Sequence, residues 1–582
     1  MPLFSRPEWT NFLISESKRP FRWPSYFFVI AKLFLRRLFN VYYLKWRSYL
    51  SPHLGLKTRP KWLKKNTFLV KFENIKELNF PKYPILNAHI YLSENYLQTY
   101  HDDDFEKKLA DHRWQDSFLA AFVGNCSPEK ALFSAMTWLR NPPSFNDPSW
   151  ETYSASERAV NLAVLLAKFP ALWKSLSEED KKIIVNFFQQ SINWIGSRLE
   201  FYGTRFTNNH ILNNARALVI SGALLNKELI VEQSLYLCLE MSKELFQPSG
   251  SLRERSTHYQ WIVTNWMMDM VAFSKPLSID NLNIAKAHEK LVNLSKKALQ
   301  TSKLLHMAYE NLGSLVGDIS PDHHPLASVD RLSSLYSKEW AREVNLSGFL
   351  HFDDWVLLRY KNNMLLASII SGNYPALYTT HGHDDFSNLL WSNNNIPILV
   401  DSGRYDYRLE GPGLLQRSSW GHNVIMIEGL SVLARSVLLN GQWLPMPYSS
   451  MVNTINGSSR QIIIEHNGFE RISGVGIHKR SATLEANELV IIDEISGSGS
   501  LIIDLFWHFA PGWSPVNRSS LLMANENYKL SIDINWSSTN YKKAWKKFPF
   551  SLSYGDKKNC NMLKVTGKTD LPSRIVTRMR TS

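Results

Sequence analysis

The sequence predicts an α+β protein in which a helical domain is followed by a domain of antiparallel strands. Its 582 residues are too many for one ordinary hydrophobic core, so two large domains are expected. Apolar residues recur with helical spacing from about residue 100 to 310, whereas short strand-like segments separated by turns begin near residue 340. Helices first and strands afterwards indicate consecutive domains that meet near residues 330–350.

The helical half is predicted from segments that each carry a broad apolar face. In the first of them, Val160, Leu162 and Leu165 fall on this face. Short polar connections join the segments, which predicts stacked helical hairpins. The predicted helices are Ser156–Phe169, Asp180–Leu199, Ile211–Leu225, Glu228–Phe246 and Ile284–Tyr309.

The second half begins with hairpin signals. Trp355–Tyr360 and Met364–Ile369 flank a Lys-Asn-Asn turn, and a second Asn-rich turn follows about thirty residues later. These apolar runs, bounded by turn residues, predict an antiparallel sheet. The further predicted strands are Leu389–Trp391, Ile396–Val400, Asn423–Ile427, Gln461–Glu465, Glu488–Ile492 and Leu501–Phe509.

The charge of the chain favours an anionic partner. The formal net charge of +14 suits a nucleic acid, an acidic lipid surface or an acidic polysaccharide. Nucleic acid is disfavoured, because the sequence contains neither zinc-finger spacing nor an RNP-like motif.

The N-terminal residues 18–48 are basic and rich in aromatic side chains. Their apolar run, Tyr26–Leu35, is too short to span a bilayer, and no small-residue cleavage site follows it. Two interpretations stay open: a segment that lies on an anionic membrane surface, or a basic arm packed on the fold. The compartment therefore stays open among cytoplasm, membrane surface and periplasm.

The first cluster of polar residues is FTNNHILNNARAL, Phe206–Leu218. Thr207 or Asn208 can cap a helix that begins near His210. Asn209 and His210 would then lie at a helix N-terminus, where backbone donors and the dipole favour an anion. Alternatively, the asparagines are only caps and His210 is a histidine of the core.

The second cluster, PSGSLRERSTHYQW, spans Pro248–Trp261. A loop leads into a helix, and Glu254, His258 and Tyr259 fall within two turns. A tyrosine beside a basic group can exchange a proton with a substrate. Alternatively, Tyr259 is only a packing residue.

The third cluster spans His381–Tyr407 and continues into Ser418–Gly429. His383, Asp401 and His422 provide two nitrogens and one oxygen, a ligand set that zinc accepts. Histidines scattered over forty residues are a weak metal signal by themselves, so the alternative is that they are unrelated buried residues.

Taken together and in order, these clusters resemble the heparinase II/III-like superfamily of polysaccharide lyases. The resemblance implies an incomplete (α/α) toroid packed against an antiparallel β-sandwich. It also implies β-elimination of a uronate-containing anionic glycan. The segments that carry it are WETYSASERAVN (Trp150–Asn161), TNNHILNNARAL, SLRERSTHY, VGD (Val316–Asp318), HGHDDFSNLLW, ILVDSGRY and GHNVIMIEG.

The resemblance also implies roles for single residues. Asn209 would neutralise the substrate carboxylate, His210 would assist proton abstraction, and Tyr259 would act as the acid, in some members also as the base. His381 would be the catalytic-site histidine of the β-domain. A structural zinc ion would bind His383, Asp401 and His422. The candidate substrate-binding residues are Trp150, Tyr153, Arg158, Asn161 and Glu254, with Arg158 as a carboxylate contact.

The implied organisation is a basic amphipathic arm at residues 1–60, a toroid at 61–335 and a β-sandwich at 336–582. The chain departs from the family at residues 319–325, ISPDHHP, where an acidic segment is usual. Two other functions stay open. A non-catalytic glycan-binding or modifying component of polysaccharide biosynthesis at the membrane would explain the basic arm. A zinc hydrolase would use the metal site directly.

Overall fold

The computed structural model supports the order of elements that the sequence predicts. It describes residues 126–201, 207–322, 324–335, 340, 346–370, 381–408, 410–432, 436–439, 442–445, 453–470, 472–517, 519–526, 528–536 and 541–582, with isolated residues between 59 and 121. The predicted arm, including the proposed membrane segment 18–48, lies outside the described residues apart from positions 59 and 60. Within the described residues, the long helices end at Leu335 and the strands begin at Gly348, so the predicted order is confirmed. One short helix, Gly411–Arg417, lies among the strands.

The helical half consists of antiparallel neighbours joined by short connections. The five helices predicted from the sequence are all present, each within a few residues of its expected bounds. No helix in the described part of the chain is long and apolar enough to cross a bilayer. The helices are α1 Pro128–Arg140, α2 Thr152–Lys168, α3 Pro170–Ser175, α4 Glu178–Ser197, α5 His210–Leu224, α6 Glu228–Leu245, α7 Thr257–Ser274, α8 Leu282–Leu312 and α9 Pro325–Leu335.

Helix α5 lies at the centre of this half and contacts α2, α4, α6 and α7. All its residues after His210 are buried, which is why Arg216 needs internal partners. Its guanidinium binds Glu157 of α2 at 2.9 Å and Asp269 of α7 at 2.8 Å. A buried charge is tolerated when it is paired in this way, and the pairs fix α2 and α7 around α5.

The second half contains two large antiparallel sheets. One has the strand order β1-β2-β3-β4-β5-β13-β18-β17, with β6 also paired to β13, and the other has the order β14-β15-β16-β19-β12-β11-β10-β9. Strands β7 and β8 pair separately. The strands are β1 Gly348–Phe352, β2 Trp355–Tyr360, β3 Asn363–Ser368, β4 Asn388–Asn393, β5 Ile396–Leu399, β6 Ile425–Ile427, β7 Ser436–Leu439, β8 Gln442–Pro445, β9 Asn453–Gly457, β10 Gln461–His466, β11 Val475–Leu484, β12 Glu488–Gly497, β13 Ser500–Phe509, β14 Ser514–Pro515, β15 Leu522–Asn525, β16 Tyr528–Trp536, β17 Tyr541–Phe550, β18 Lys558–Asp570 and β19 Ser573–Thr581.

The first sheet is covered on both faces near β3 and β4. All residues of both strands are buried, whereas β12 alternates between buried and partly exposed positions. A continuous apolar strand is expected where both faces are covered. One face joins the core between the sheets, and the other packs on the C-terminal part of α8. This contact brings the end of the helical half against the sheet and creates the junction where the polar clusters meet.

Candidate active site

Residues 316–318 form the link between the two halves at this junction. The backbone nitrogen of Thr257, the first residue of α7, donates to Val316 O at 2.9 Å. On the other side, the backbone nitrogen of Asp318 donates to His381 O at 2.8 Å. The VGD segment therefore holds the start of α7 beside the loop that carries His381.

A glycine is required in the middle of this link. Gly317 has a φ of +81°, and a Cβ there would lie 2.5 Å from Arg255 O and 2.9 Å from His381 O. Both distances are too short for any side chain, so only glycine lets the three segments approach this closely.

Glu254 fixes the orientation of Asn209. Its carboxylate accepts the backbone N–H of Asn209 at 2.8 Å and the side-chain Nδ2 of Asn209 at 2.6 Å. Both residues have no exposed surface. The Oδ1 atom of Asn209 is buried without a hydrogen-bond partner among the described residues. Glu254 therefore fixes the orientation of the Asn209 amide and uses only one of its two hydrogens.

His210 follows Asn209 and forms the partly exposed edge of the cluster. Its Nδ1 lies 3.2 Å from Glu200 Oε1, and its side chain keeps 34% of its surface exposed. Burial alone would lower the pKa of His210, but the charge and hydrogen bond of Glu200, together with Glu151 and Glu254, raise it above the usual value.

Tyr259 and His381 come together from opposite halves of the molecule. Their rings are stacked, with centroids 3.6 Å apart and planes at 9°. The hydroxyl of Tyr259 lies 2.9 Å from that of Tyr407, which itself donates to Ile319 O at 2.8 Å. Tyr407 therefore accepts from Tyr259. Burial raises the pKa of Tyr259 well above its usual value, so the phenol is protonated at neutral pH.

Asp318 connects His381 to the predicted metal ligands. One carboxylate oxygen lies 3.2 Å from His381 Nδ1, and the other lies 2.9 Å from His383 Nε2. Burial opposes the charge of Asp318, but Arg404 and the hydrogen bonds from both histidines hold its pKa well below the usual value. The carboxylate is therefore ionised and orients both imidazoles.

His383, Asp401 and His422 lie together as the sequence predicts, with one ligand atom of each within 4.8 Å of the others. All three are completely buried. The Nδ1 of His383 and the Nε2 of His422 have no hydrogen-bond partner in the described part of the structure, while the second nitrogen of each ring contacts a carboxylate. Burial lowers the pKa of His383 to about 4, which keeps its ring neutral. Two orphaned nitrogens and a carboxylate fit a divalent metal ion.

Arg158, a candidate substrate-binding residue, is enclosed by its own domain. It has no exposed surface, and its Nη1 donates to the backbone oxygens of Ser149 and His112 at 2.6 and 3.2 Å. The guanidinium also lies over the rings of Trp138 and Trp150. The direct carboxylate contact that the resemblance implies for Arg158 stays a prediction, and in this structure its guanidinium is held inside beside the start of α2.

Of the other residues in the Trp150–Asn161 motif, Tyr153 contacts the cluster. Tyr153 is buried; its ring centroid lies 4.6 Å from that of His210, and its hydroxyl donates to Asp322 at 2.6 Å. Asn161 donates to the backbone oxygen of Arg113 at 2.9 Å. Trp150 is nearly buried and donates to Pro143 O at 2.9 Å. Of these residues, Tyr153 is next to the predicted catalytic residues.

Four residues of the cluster were not identified from the sequence: Glu200, Asp318, Arg404 and Tyr407. Asp318 belongs to the VGD segment, and Arg404 and Tyr407 belong to the third polar cluster. Because these segments carry the family resemblance, the sequence could have indicated these three residues as site candidates. Glu200 precedes the Phe206–Leu218 cluster and has no such signal. Glu200 and His210 are ten residues apart, and no motif indicates that their side chains meet.

Comparison with known proteins agrees with this architecture. Residues 346–551 match the family model described as heparinase II/III-like, C-terminal. The structure is similar to that of heparinase III, with 14% identity, a TM-score of 0.62, and coverage of 92% of this chain and 89% of that chain. It is also similar to a mutant of heparan sulfate lyase HepC from Pedobacter heparinus, with 12% identity, a TM-score of 0.56, and coverage of 90% and 86%. No curated protein sequence matches the chain.

At these identities, the structural similarity bears on the fold alone, and it confirms the expected incomplete (α/α) toroid followed by an antiparallel β-sandwich. The family match covers most of the strands and includes His381, His383, Asp401 and His422. The sheet domain, residues 346–551, therefore matches the heparinase II/III-like C-terminal family.

Proposed function

We propose that the chain is a polysaccharide lyase that cleaves a uronate-containing anionic glycan by β-elimination. The observation that carries this proposal is the convergence of Asn209, Tyr259 and His381 from three distant segments. Asn209 and His381 contact the same carboxylate, Glu254, at 2.6 and 3.8 Å, and His381 stacks on Tyr259. The reaction needs an amide, a phenol and imidazole groups around one point. Asn209 supplies the amide, Tyr259 the phenol, and His381 with the neighbouring His210 the two imidazoles.

The first requirement of the reaction is neutralisation of the uronate carboxylate. The C5 proton is too weakly acidic while that carboxylate keeps its full charge. The amide of Asn209, held by Glu254 through one of its hydrogens, can donate its other hydrogen to the carboxylate. Such contacts stabilise the enolate-like intermediate as an oxyanion hole does. Glu254 is therefore proposed as the residue that positions Asn209.

Proton transfer completes the reaction. In the proposal, His210 takes the C5 proton, the electron pair forms the C4–C5 double bond, and the C4–O bond breaks. Tyr259 gives its proton to the leaving O4 atom, a role that its raised pKa supports because the phenol is protonated at neutral pH. His381 holds the Tyr259 ring in place through the stack and is itself held by Asp318.

The metal is proposed to be a structural zinc ion. His383, Asp401 and His422 would hold it, and the two orphaned imidazole nitrogens support this assignment. A bound zinc ion would cross-link the loops around residues 383, 401 and 422. Through Asp318, which contacts both His383 and His381, those loops would keep the catalytic histidine in position.

The setting is proposed to be a bacterial exopolysaccharide or capsule system, with residues 18–48 in contact with an anionic membrane surface. The basic, aromatic-rich composition of that segment and the net charge of +14 support this setting.

The test of the proposed activity is incubation of the full chain with a panel of uronate polysaccharides. Formation of the C4–C5 double bond is followed by the ultraviolet absorbance of the unsaturated uronate. A rise with at least one polymer is the expected result, and the responding polymer identifies the substrate class. Binding of a polymer with no rise in absorbance would support the non-catalytic role instead.

A further inference from the structure

Strand β17 ends the first sheet and carries a row of lysines. Among the described strands it pairs only with β18, so no other described strand covers its outer edge. Its sequence, YKKAWKKFPF, contains four lysines and no carboxylate. All four lysines are exposed, and together they define the β17 basic edge: Lys542, Lys543, Lys546 and Lys547.

The cations of the β17 basic edge lack the partners that the cations of β19 have. On β19, Arg574 lies 3.5 Å from Glu494, while Arg578 and Arg580 lie 3.7 and 3.2 Å from Glu488, nitrogen to oxygen in each case. Within the described part of the chain, none of the four lysines forms an ion pair with a carboxylate. Their charge is therefore available to a partner outside the chain.

The geometry of a strand arranges these charges in a line. Successive side chains point to opposite faces, so Lys542 and Lys546 lie on one side of the edge and Lys543 and Lys547 on the other. At the rise of an antiparallel strand, the row extends over about 17 Å. A line of positive charge of this length suits a linear polyanion better than a single small anion.

The aromatic residues of β17 are engaged inside the domain. The indole N–H of Trp545 donates to Ser520 O at 3.0 Å, and its ring centroid lies 5.6 Å from that of Phe509. The hydroxyl of Tyr541 donates to Ile534 O at 2.6 Å. Side chains held in this way do not insert into a bilayer or stack on bases, which are contacts that membrane-surface segments and single-strand binders use. Charge is thus the main feature that the edge offers.

We propose that the β17 basic edge binds an acidic polysaccharide along its length, outside the candidate active site. Each ammonium group can donate hydrogen bonds to carboxylate or sulfate oxygens of the sugar chain. Short segments rich in lysine and arginine are typical of surfaces that bind heparin-like polymers. The inference goes beyond the proposed function and does not depend on it, because binding at this edge involves no cleavage.

Lysines at a sheet edge also have a second known effect, which is to prevent edge-to-edge pairing with another chain. A charge of either sign serves that purpose, whereas the β17 basic edge carries charges of one sign only. The two roles predict different results when the lysines are replaced, because one concerns binding of a polyanion and the other self-association.

The test is calorimetric titration with heparin, which carries both carboxylate and sulfate groups. The protein is the full chain carrying Tyr259→Phe, so that no turnover accompanies binding. Replacing three lysines of the edge is expected to weaken heparin binding about tenfold at low salt, since several exposed charge contacts are lost together. The difference should shrink at high salt, which screens exposed charges. The substitutions are Lys542→Gln, Lys543→Gln and Lys547→Gln.

The matched control removes three positive charges from β19, where each arginine already has a carboxylate partner. It is expected to change heparin binding by less than about twofold, because these charges are already compensated. Thermal unfolding of both variants verifies the fold. The control substitutions are Arg574→Gln, Arg578→Gln and Arg580→Gln.

Equal losses in the two variants would reduce the effect to net charge and overturn the site. Unchanged heparin binding in the lysine variant, or no binding by the parent, would also overturn it, and self-association in gel filtration would then assign the lysines to protection of the edge. A larger loss with phosphatidylserine vesicles or single-stranded DNA than with heparin would assign the edge to another polyanion and overturn the proposal.

The proposed lyase activity is measured separately, by absorbance with the unmodified chain. Heparin binding that depends on the β17 lysines, without elimination of any polymer, would keep the binding edge and refute the lyase. Elimination together with heparin binding that is insensitive to the lysine substitutions would refute the binding edge and keep the lyase.

Discussion

The imidazole of His381 lies flat on the phenol ring of Tyr259, with centroids 3.6 Å apart and planes at 9°. Tyr259 belongs to the first turn of α7, and His381 belongs to a loop of the sheet domain. Neither half of the molecule contains the candidate catalytic cluster alone. The junction that joins the halves therefore also assembles the site, and the predictions below test the contacts that hold it.

The hydrogen bond between Tyr259 and Tyr407 predicts unequal effects of two matched substitutions. Tyr259→Phe removes the proposed proton donor, so kcat is expected to fall about 10²–10⁴-fold, the usual contribution of a general acid. Tyr407→Phe removes only its acceptor and is expected to have a smaller effect. Initial rates and thermal unfolding of both variants are the measurements. Equal rates for Tyr259→Phe and the wild type would show that the acid is another group.

The contact between Glu254 and Asn209 predicts that Glu254→Gln impairs the reaction. Glutamine replaces one acceptor oxygen with a donor that faces a donor of Asn209, so the amide no longer keeps its orientation. A loss of about 10²-fold in kcat/KM is expected, similar to that for a missing oxyanion-hole donor. Thermal unfolding controls for the fold. A stable variant with normal kcat/KM would show that Glu254 does not position Asn209.

The pair Glu200–His210 predicts a change in pH dependence. Because Glu200 raises the pKa of His210, protonated His210 contributes stability below the ordinary histidine pKa, and this contribution is lost as pH rises through the raised value. A base must be neutral, so activity should increase over that same range. Glu200→Gln lowers the pKa and should move the acidic limb of the rate profile to lower pH. An unmoved limb would exclude His210 as the titrating base.

The predicted metal site links metal content to stability. His383→Ala removes one of three ligands, so the amount of bound zinc should fall. The free energy of unfolding should fall with it, by about 3 kcal/mol when the metal concentration is several hundred-fold above its Kd. His466→Ala is the control, because His466 is a buried histidine of the same domain that binds His478 instead. It should lower stability and leave metal content unchanged. Equal metal in His383→Ala and the wild type would contradict the assignment.

The buried pair Arg255–Asp385 predicts that the junction is a major source of stability. Arg255 donates to Asp385 at 2.7 Å and to Ser368 at 2.8 Å, with almost no exposed surface. Arg255→Leu removes the cationic partner of the buried Asp385 carboxylate, which should cost about 3–5 kcal/mol in urea unfolding. The exposed pair Arg460–Glu485 is the control, since Arg460→Ala should cost less than about 1 kcal/mol. Similar costs for both would refute the role of the junction.

The fold was predictable where local pattern decides structure. Trp355–Tyr360 has the bounds predicted from its hairpin signal, and α6 differs from its predicted range by one residue at its end. Strands after residue 510 were not assigned from the sequence. Helix α7 shows why a helix can lack a recognisable apolar face in its sequence. Nearly all its residues are buried, and polar residues such as Thr264 and Asp269 have buried partners. The apolar residues of α7 therefore do not recur with a clear helical period.

The site was predictable as a set of motifs but not as a set of contacts. His383, Asp401 and His422 lie together as expected, with one ligand atom of each within 4.8 Å of the others. The burial of Arg158 could not be predicted from the sequence, because it depends on contacts with the Trp138 ring and the Ser149 carbonyl that the motif does not indicate. The link from Asp318 to His381 spans 63 residues and depends on how two domains dock.

The most direct test of the account is the mass of the fragments that the full chain releases from a responding uronate polymer. Elimination adds no water, so each cut should yield an unsaturated end and leave the summed mass unchanged, and Tyr259→Phe should release almost none. A summed mass that rises by one water per cut, without an ultraviolet rise, would contradict elimination and point to hydrolysis at the metal site formed by His383, Asp401 and His422.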